Sequence, residues 1–211
     1  MGKGLFITFE GADGCGKTTQ LNLLKDYLSS KGYDVILTRE PGAKGLGEKF
    51  REILLNYDGE VSNRCESFLF LADRAQNIDT IVNPAIEQGK IVLCDRHTDS
   101  SVAYQGYGRG LDIEEIKSLN KLATGGKTPD ITLVFDVDIE TSMKRVGNVK
   151  DRMENSGIEF FNRVRNGYLE LAKQEPNRIK VIDSTKSIQE VKNEVIEIVN
   201  NYLTNLTIRL K

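Results

Sequence analysis

Eight residues constrain this chain more than any others: Gly11-Ala12-Asp13-Gly14-Cys15-Gly16-Lys17-Thr18. They fit the pattern G-x-x-x-x-G-K-[ST], follow the apolar run Leu5–Phe9 directly, and open an amphipathic stretch, Thr18–Ser30. At ordinary glycine and lysine usage a chance match in a chain of this length is roughly one in a hundred. The strand before and the helix after are the context the pattern requires. Such a loop turns backbone N–H groups onto one point, and the helix N-terminus adds its partial positive charge, so together they hold phosphate. Lys17 can reach the outer phosphates, and the Thr18 hydroxyl can ligate Mg²⁺. A nucleotide site is therefore expected at Gly11, Ala12, Asp13, Gly14, Cys15, Gly16, Lys17, Thr18 and the adjoining Thr19; the alternative is a glycine turn that caps a helix. Asp13 does not help a phosphate cradle electrostatically. It is read as serving a metal ion or a hydroxyl of a second substrate, with a solvated loop aspartate as the alternative. Cys15, inside the cradle, is expected to be alkylated by thiol reagents and protected by nucleotide.

Four more apolar runs follow: Val35–Thr38, Ile91–Cys94, Ile131–Phe135 and Ile179–Ile182. None alternates polar with apolar, which suits strands buried on both faces. Between them lie helical patterns at Leu46–Leu55, Arg64–Val82, Ile113–Leu122, Ser156–Ala172 and Ile188–Leu203. Strand–helix alternation predicts an α/β fold: a five-stranded parallel sheet with helices on both faces, in one domain over residues 1–211. The strands run into Glu10-Gly11, Arg39-Glu40-Pro41-Gly42, Asp95-Arg96-His97, Asp136 and Asp183-Ser184. In an open parallel sheet these carboxyl ends share one edge, the edge where ligands bind.

Composition narrows the partners. Lys and Arg number 29 against 31 Asp and Glu, a net charge of −2, which argues against a general binder of nucleic acid. Three cysteines (Cys15, Cys65, Cys94) do not make a disulfide framework, and the single histidine, His97, excludes a Cys/His metal centre. Met1-Gly2-Lys3-Gly4 lacks a signal-peptide pattern, and no apolar run approaches about 18 residues. The expectation is a cytoplasmic protein with no membrane segment.

Moving a phosphoryl group onto another phosphate brings two polyanions together, so cations are needed on both. Arg39, Arg51, Arg74 and Arg96 lie outside the phosphate loop, and Arg145, Lys150 and Arg152 fall in a polar segment after the fourth strand. Arginine suits bidentate phosphate contact.

The chain resembles the bacterial thymidylate kinases nearly end to end. The resemblance rests on Phe9-Glu10-Gly11 before the phosphate loop, Arg39-Glu40-Pro41-Gly42, Phe70-Leu71-Ala72-Asp73-Arg74, Asp95-Arg96-His97, Ser100-Ser101-Val102-Ala103-Tyr104-Gln105-Gly106 and Pro129-Asp130-Ile131-Thr132-Leu133. It implies a P-loop nucleoside monophosphate kinase fold with a short lid at about 147–157, transfer from Mg-ATP to dTMP, and a homodimer built around the Arg64–Val82 helix. Phe70 would stack on thymine, Arg74 would bond the base carbonyl, and Ser101 and Gln105 would read its other edge. Tyr104 would crowd the ribose 2′ position. Arg51 and Arg96 would hold the acceptor phosphate, and Asp13 and Glu40 would lie near the 3′-hydroxyl. Lys17, Arg96 and Arg152 would be catalytic; Thr18 and Asp95 would hold Mg²⁺. The phosphate loop carries Gly14-Cys15 where one subgroup has arginine, which fits delivery of the catalytic arginine from the lid. Ser184-Thr185-Lys186 would border adenine, and His97 would pack rather than act as a base. Ala43-Lys44, where relatives commonly carry Gly-Thr, adds a cation near the acceptor. The alternatives are another nucleoside or nucleoside monophosphate kinase and, more remotely, a nucleotide-dependent switch. Against the switch, Asn120-Lys121-Leu122-Ala123 lacks the aspartate that pairs with guanine.

Overall fold

A computed structural model describes residues 4–146 and 157–209. Five strands form one parallel sheet: β1 Leu5–Glu10, β2 Val35–Arg39, β3 Ile91–Asp95, β4 Ile131–Asp136 and β5 Ile179–Asp183, in the order β2-β3-β1-β4-β5. The chain leaves the central strand β1 toward β2 and later returns across it to β4 and β5, so the strand order reverses at β1. The expected topology class is present, and the register aligns Arg39 with Asp95 and Asp136 with Asp183 on the common carboxyl edge.

Period-2 geometry divides each inner strand between two cores. Leu5, Ile7 and Phe9 of β1 face α1 (Lys17–Ser30) through Leu21, Leu24 and Leu28, and the C-terminal helix through Val191, Val195 and Val199. Phe6, Val92 and Cys94 point the other way, onto Ile78, Val82 and Ile86. Farther along that face, Val134 meets Phe160, Phe161, Val164 and Tyr168. Burial on both faces holds for β1, β3 and β4. The edge strands differ: Leu37 of β2 and Val181 of β5 are exposed.

After β2 come α2 (Leu46–Asn56) and α3 (Asn63–Asn77), the latter capped by Ser62, whose hydroxyl accepts from the Cys65 N–H at 3.3 Å. The expected helix Arg64–Val82 does not end at Val82. It widens into i→i+5 turns over Ile78–Val82 and continues as α4 (Asn83–Glu87). Pro84 has no N–H to give the carbonyl four residues back, and a widened turn is how a helix absorbs such a gap. A second widened stretch, Val102–Gly108, follows the short α5 (Thr98–Ser101). Sequence pattern missed it, because its glycines and buried polar residues carry no helical period. The remaining helices are α6 (Ile113–Ala123), α7 (Ile139–Val146), α8 (Ile158–Gln174) and α9 (Ile188–Arg209). α7 lies in what sequence alone presents only as a polar segment. Among the described residues no helix is long and apolar enough to cross a membrane.

Candidate active site

The carboxyl edge opens into a cleft of about 1170 Å³, larger than the roughly 300–1,000 Å³ of a single small-molecule site. Its floor is the loop between β1 and α1. Gly11, at φ 132°, is where glycine is required: a Cβ there would lie 2.5 Å from the Phe135 carbonyl oxygen. Lys17 is buried and folded back, donating to the carbonyls of Gly11 (3.0 Å) and Ala12 (2.8 Å). Cys15 corrects the expectation made for it. The side chain is 2% exposed and turned against Gly11 and the Lys17 ammonium, so a reagent does not reach it readily.

Arg96 follows β3 in a left-handed conformation, φ 69°, which for a non-glycine residue costs on the order of 1–3 kcal/mol. That turn swings the guanidinium back across the end of β1. There it donates to the Gly11 carbonyl at 2.9 Å and to Asp13 Oδ1 at 2.7 Å, and it lies 5.0 Å from the Tyr104 ring. Asp13, the residue at odds with a phosphate site, is thus neutralised by Arg96. Burial would raise its pKa, but Arg96 and Lys17 outweigh burial and bring it down to about 2. Behind them Glu10 accepts from the His97 N–H, Ser100 Oγ and Tyr168 OH at 2.7, 2.5 and 2.9 Å. Burial, with Asp99 nearby, pushes the Glu10 carboxyl above its ordinary value. Tyr104 is shifted upward by its own burial, so it stays a neutral phenol.

At the far end α3 presents Glu66, Phe70 and Arg74, spaced i, i+4, i+8 on one face. Phe70 lines the cleft, half-buried. Arg74 is 1% exposed and sits in a network that sequence did not predict. It donates to Glu40 Oε2 (2.7 Å), Ser101 Oγ (2.8 Å), Asn120 Oδ1 (2.5 Å) and the His97 carbonyl (2.9 Å). A guanidinium has five N–H groups, so one on Nη2 is left for the cleft. Glu40 also borders the cleft, but its oxygens already accept from Arg74 and Asn77 and lie 3.0 Å from His97 Nδ1. Burial works against its charge, yet His97 and Arg74 hold its pKa at about 2. His97 packs edge-on against Phe6 and is fully buried, as expected of a packing residue, while also serving Glu40.

Ser101, Tyr104 and Gln105, all from α5 and the widened turn after it, line the cleft with Phe70 and Arg74. Arg39 and Arg51 are folded onto the Pro41-Gly42 loop, donating to the carbonyls of Gly42 and Pro41 at 3.3 and 2.9 Å. Lys44 is exposed along the same wall. Asp73 supports that loop from below, accepting from the Gly42 N–H at 3.1 Å. On the opposite side Arg145 donates to the Ser184 carbonyl at 3.3 Å, beside Lys186 and Ile188. Arg152, Lys150 and all of the expected lid except Gly157 lie outside the described residues. The other two strand ends serve structure instead: Asp136 takes a bidentate pair from Arg165 at 2.6 and 2.8 Å, and Asp183 caps Thr185.

The metal ligands expected from sequence stand together. Thr18 Oγ1 is 3.4 Å from Asp95 Oδ2, and Asp95 Oδ1 is buried with no protein partner. Among the described residues no group of three or more His, Cys, Asp or Glu could cage a metal. The donor set therefore suits Mg²⁺ shared with phosphate oxygens and water, not a cation held by protein alone.

Known proteins resemble this chain over nearly its whole length. The family model described as thymidylate kinase matches residues 9–195. The thymidylate kinase of Desulfovibrio desulfuricans is 46% identical over 197 residues, covering 89% of this chain and 91% of the relative. That of Pelotomaculum thermopropionicum is 49% identical over 199 residues, 92% of each. Among solved structures, thymidylate kinase from Ehrlichia chaffeensis superposes with a TM-score of 0.79 at 41% identity, covering 95% of this chain and 99% of that one.

Proposed function

The chain belongs to the thymidylate kinase family and is a kinase, and we propose that its cleft transfers the γ-phosphoryl group of Mg-ATP to the 5′-phosphate of dTMP, giving dTDP and ADP. One observation carries the reading: a single cleft joins the phosphate loop to the Phe70–Arg74–Gln105 pocket, with the Asp13–Arg96 pair between them. The acceptor phosphate is already anionic, so the reaction needs positioning and charge compensation, not a strong base.

Lys17 leaves the Gly11 and Ala12 carbonyls to meet the outer phosphates of ATP. Gly14, Gly16 and Thr19 contribute to the same cradle. Thr18 and Asp95 hold Mg²⁺, which screens the phosphate oxygens when bound. Arg96 and Arg51 grip the acceptor phosphate, and Arg152 supplies a further cation. Arg74 gives its remaining N–H to the base carbonyl at position 4, where cytosine would present a donor; Phe70 stacks on the ring. Tyr104, neutral and buried, shapes the sugar end, with Asp13 and Glu40 beside it. A homodimer is part of this proposal: Phe68, on the face of α3 away from the cleft, is 52% exposed, and Ile53 on the neighbouring α2 and Tyr57 just past its end are 44% and 55% exposed.

The test is ADP release from Mg-ATP with dTMP, dUMP, dCMP, AMP or GMP supplied singly. Strong release with dTMP, weaker with dUMP and negligible with dCMP is expected. Preference for AMP or dCMP would overturn the pocket assignment, and release independent of any acceptor would overturn the transfer.

A further inference from the structure

Glu66 does not line the cleft, yet it is fully buried one helical turn before Phe70. Its carboxylate accepts from the Gln105 amide nitrogen at 3.1 Å and from Arg109 Nε and Nη2 at 3.3 and 3.4 Å. Arg109 is itself held, with its guanidinium 4.5 Å from the Phe160 ring. We propose that Glu66 is a specificity-positioning residue: it dictates which end of the Gln105 side-chain amide faces the pyrimidine. This rests on the base pocket of the preceding reading.

The chemistry is one-sided. A glutamine amide has a donating and an accepting end, and the two can exchange by rotating about one bond. An ionised carboxylate only accepts, so Glu66 takes the NH₂ end and turns the Gln105 carbonyl oxygen toward the cleft. Arg74 presents a donor to the same pocket, bonded to Ser101 of the segment that carries Gln105. The pocket therefore offers donor and acceptor next to each other. Thymine offers the complement, an acceptor at O4 and an N–H at N3. Cytosine reverses both, with an amine at position 4 and a bare acceptor at N3. Arg74 rejects the first reversal whatever happens at Glu66; rejecting the second depends on Gln105 being unable to flip.

The variant E66Q keeps the shape and the contact but lets position 66 either donate or accept. Gln105 can then turn its NH₂ toward cytosine N3. The expected result is that the ratio of kcat/KM for dTMP to that for dCMP falls about tenfold, with loss on dTMP and gain relative to it on dCMP. In a Q105M background, where no amide remains, E66Q should leave the ratio unchanged. Equal losses on both nucleotides, or the same change of ratio in the Q105M background, would mean that Glu66 only supports the fold and would overturn the proposal. Should E66Q not fold, the wild type reports the same thing. The Gln105 side-chain NH₂ signal, assigned by its loss in Q105M, should be protected from exchange without nucleotide and shift little on adding dTMP. A large shift with newly gained protection would place NH₂ on the base and overturn the proposal. A wild-type enzyme that does not prefer dTMP over dCMP would instead fail the preceding reading of the pocket.

Discussion

Arg74 and Asp73 are neighbours in sequence with opposite electrostatic fates. Arg74 is buried as a charge but paired with Glu40 and bonded to three further oxygens, the arrangement in which a buried ion is tolerable. Asp73 is equally buried, yet one of its oxygens, Oδ2, has no partner. Burial raises its pKa to about 7, against the Gly42 N–H and with Glu40 nearby adding to the rise. Between the unfolded value of 3.8 and about 7, the unfolded chain is ionised here while the folded one keeps its proton. The folded state binds more protons in that window, so this residue's contribution to stability declines as pH rises through it and levels off above it. D73N retains an oxygen for Gly42 and cannot ionise. Its melting temperature should match the wild type near pH 4 and exceed it increasingly up to pH 7, measured by calorimetry across that range. Parallel curves would show that Asp73 does not titrate there.

Among the elements, the contact between α8 and the widened turn after α5 governs the acceptor pocket, because that turn carries Tyr104 and Gln105. The two meet at close range through glycine. A Cβ on Gly108 would stand 2.6 Å from Phe160, and one on Gly167 would stand 2.8 Å from Tyr107. The neighbour at Gly167 is the root of the Tyr107 ring, not a flexible tip, so it cannot move aside cheaply. In G167A, better helix propensity contributes about 1 kcal/mol, while overpacking costs typically 1–3 kcal/mol. The net expectation is a loss of about 1 kcal/mol, read by denaturant unfolding. KM for dTMP should also rise, since the displaced turn holds the base-reading side chains. A loss of stability with KM unchanged would show that the turn moves as a rigid unit.

For the whole molecule, the exposed apolar residues of α2 and α3 are what a second copy would cover. Isolated exposed side chains are ordinary on a monomer, but Ile53 and Phe68 lie on two helices that pack together, with Tyr57 just past the end of the first. Sedimentation of the wild type should give a dimer, and F68D should shift it to monomer while far-UV circular dichroism stays unchanged. A wild-type monomer would overturn the dimer, and an F68D dimer of undiminished affinity would place the association elsewhere.

By itself the amino-acid sequence determined the elements whose cause is local or periodic. The five strands are continuous apolar runs, α1 carries its leucines at helical spacing, and the phosphate loop is a spacing of glycines, lysine and threonine. It also placed Asp95 and Arg96 on the binding edge, because every strand of a parallel sheet delivers its carboxyl end there; Phe70, Arg74, Ser101 and Gln105 were legible only through the resemblance to the thymidylate kinases. Only the tertiary structure decided which charges meet. Asp13 answers to Arg96, 83 positions away, and Glu66 reaches Gln105 across 39. Glu40, His97 and Asn120 close around Arg74 from separate segments. Such partners leave no local signal, since a buried ion pair is specified by two remote backbones brought into register, not by spacing along the chain. The widened turns were hidden for a related reason. They form where packing against α8 and the path around Pro84 shift the hydrogen-bond register, which the pattern of side chains does not show.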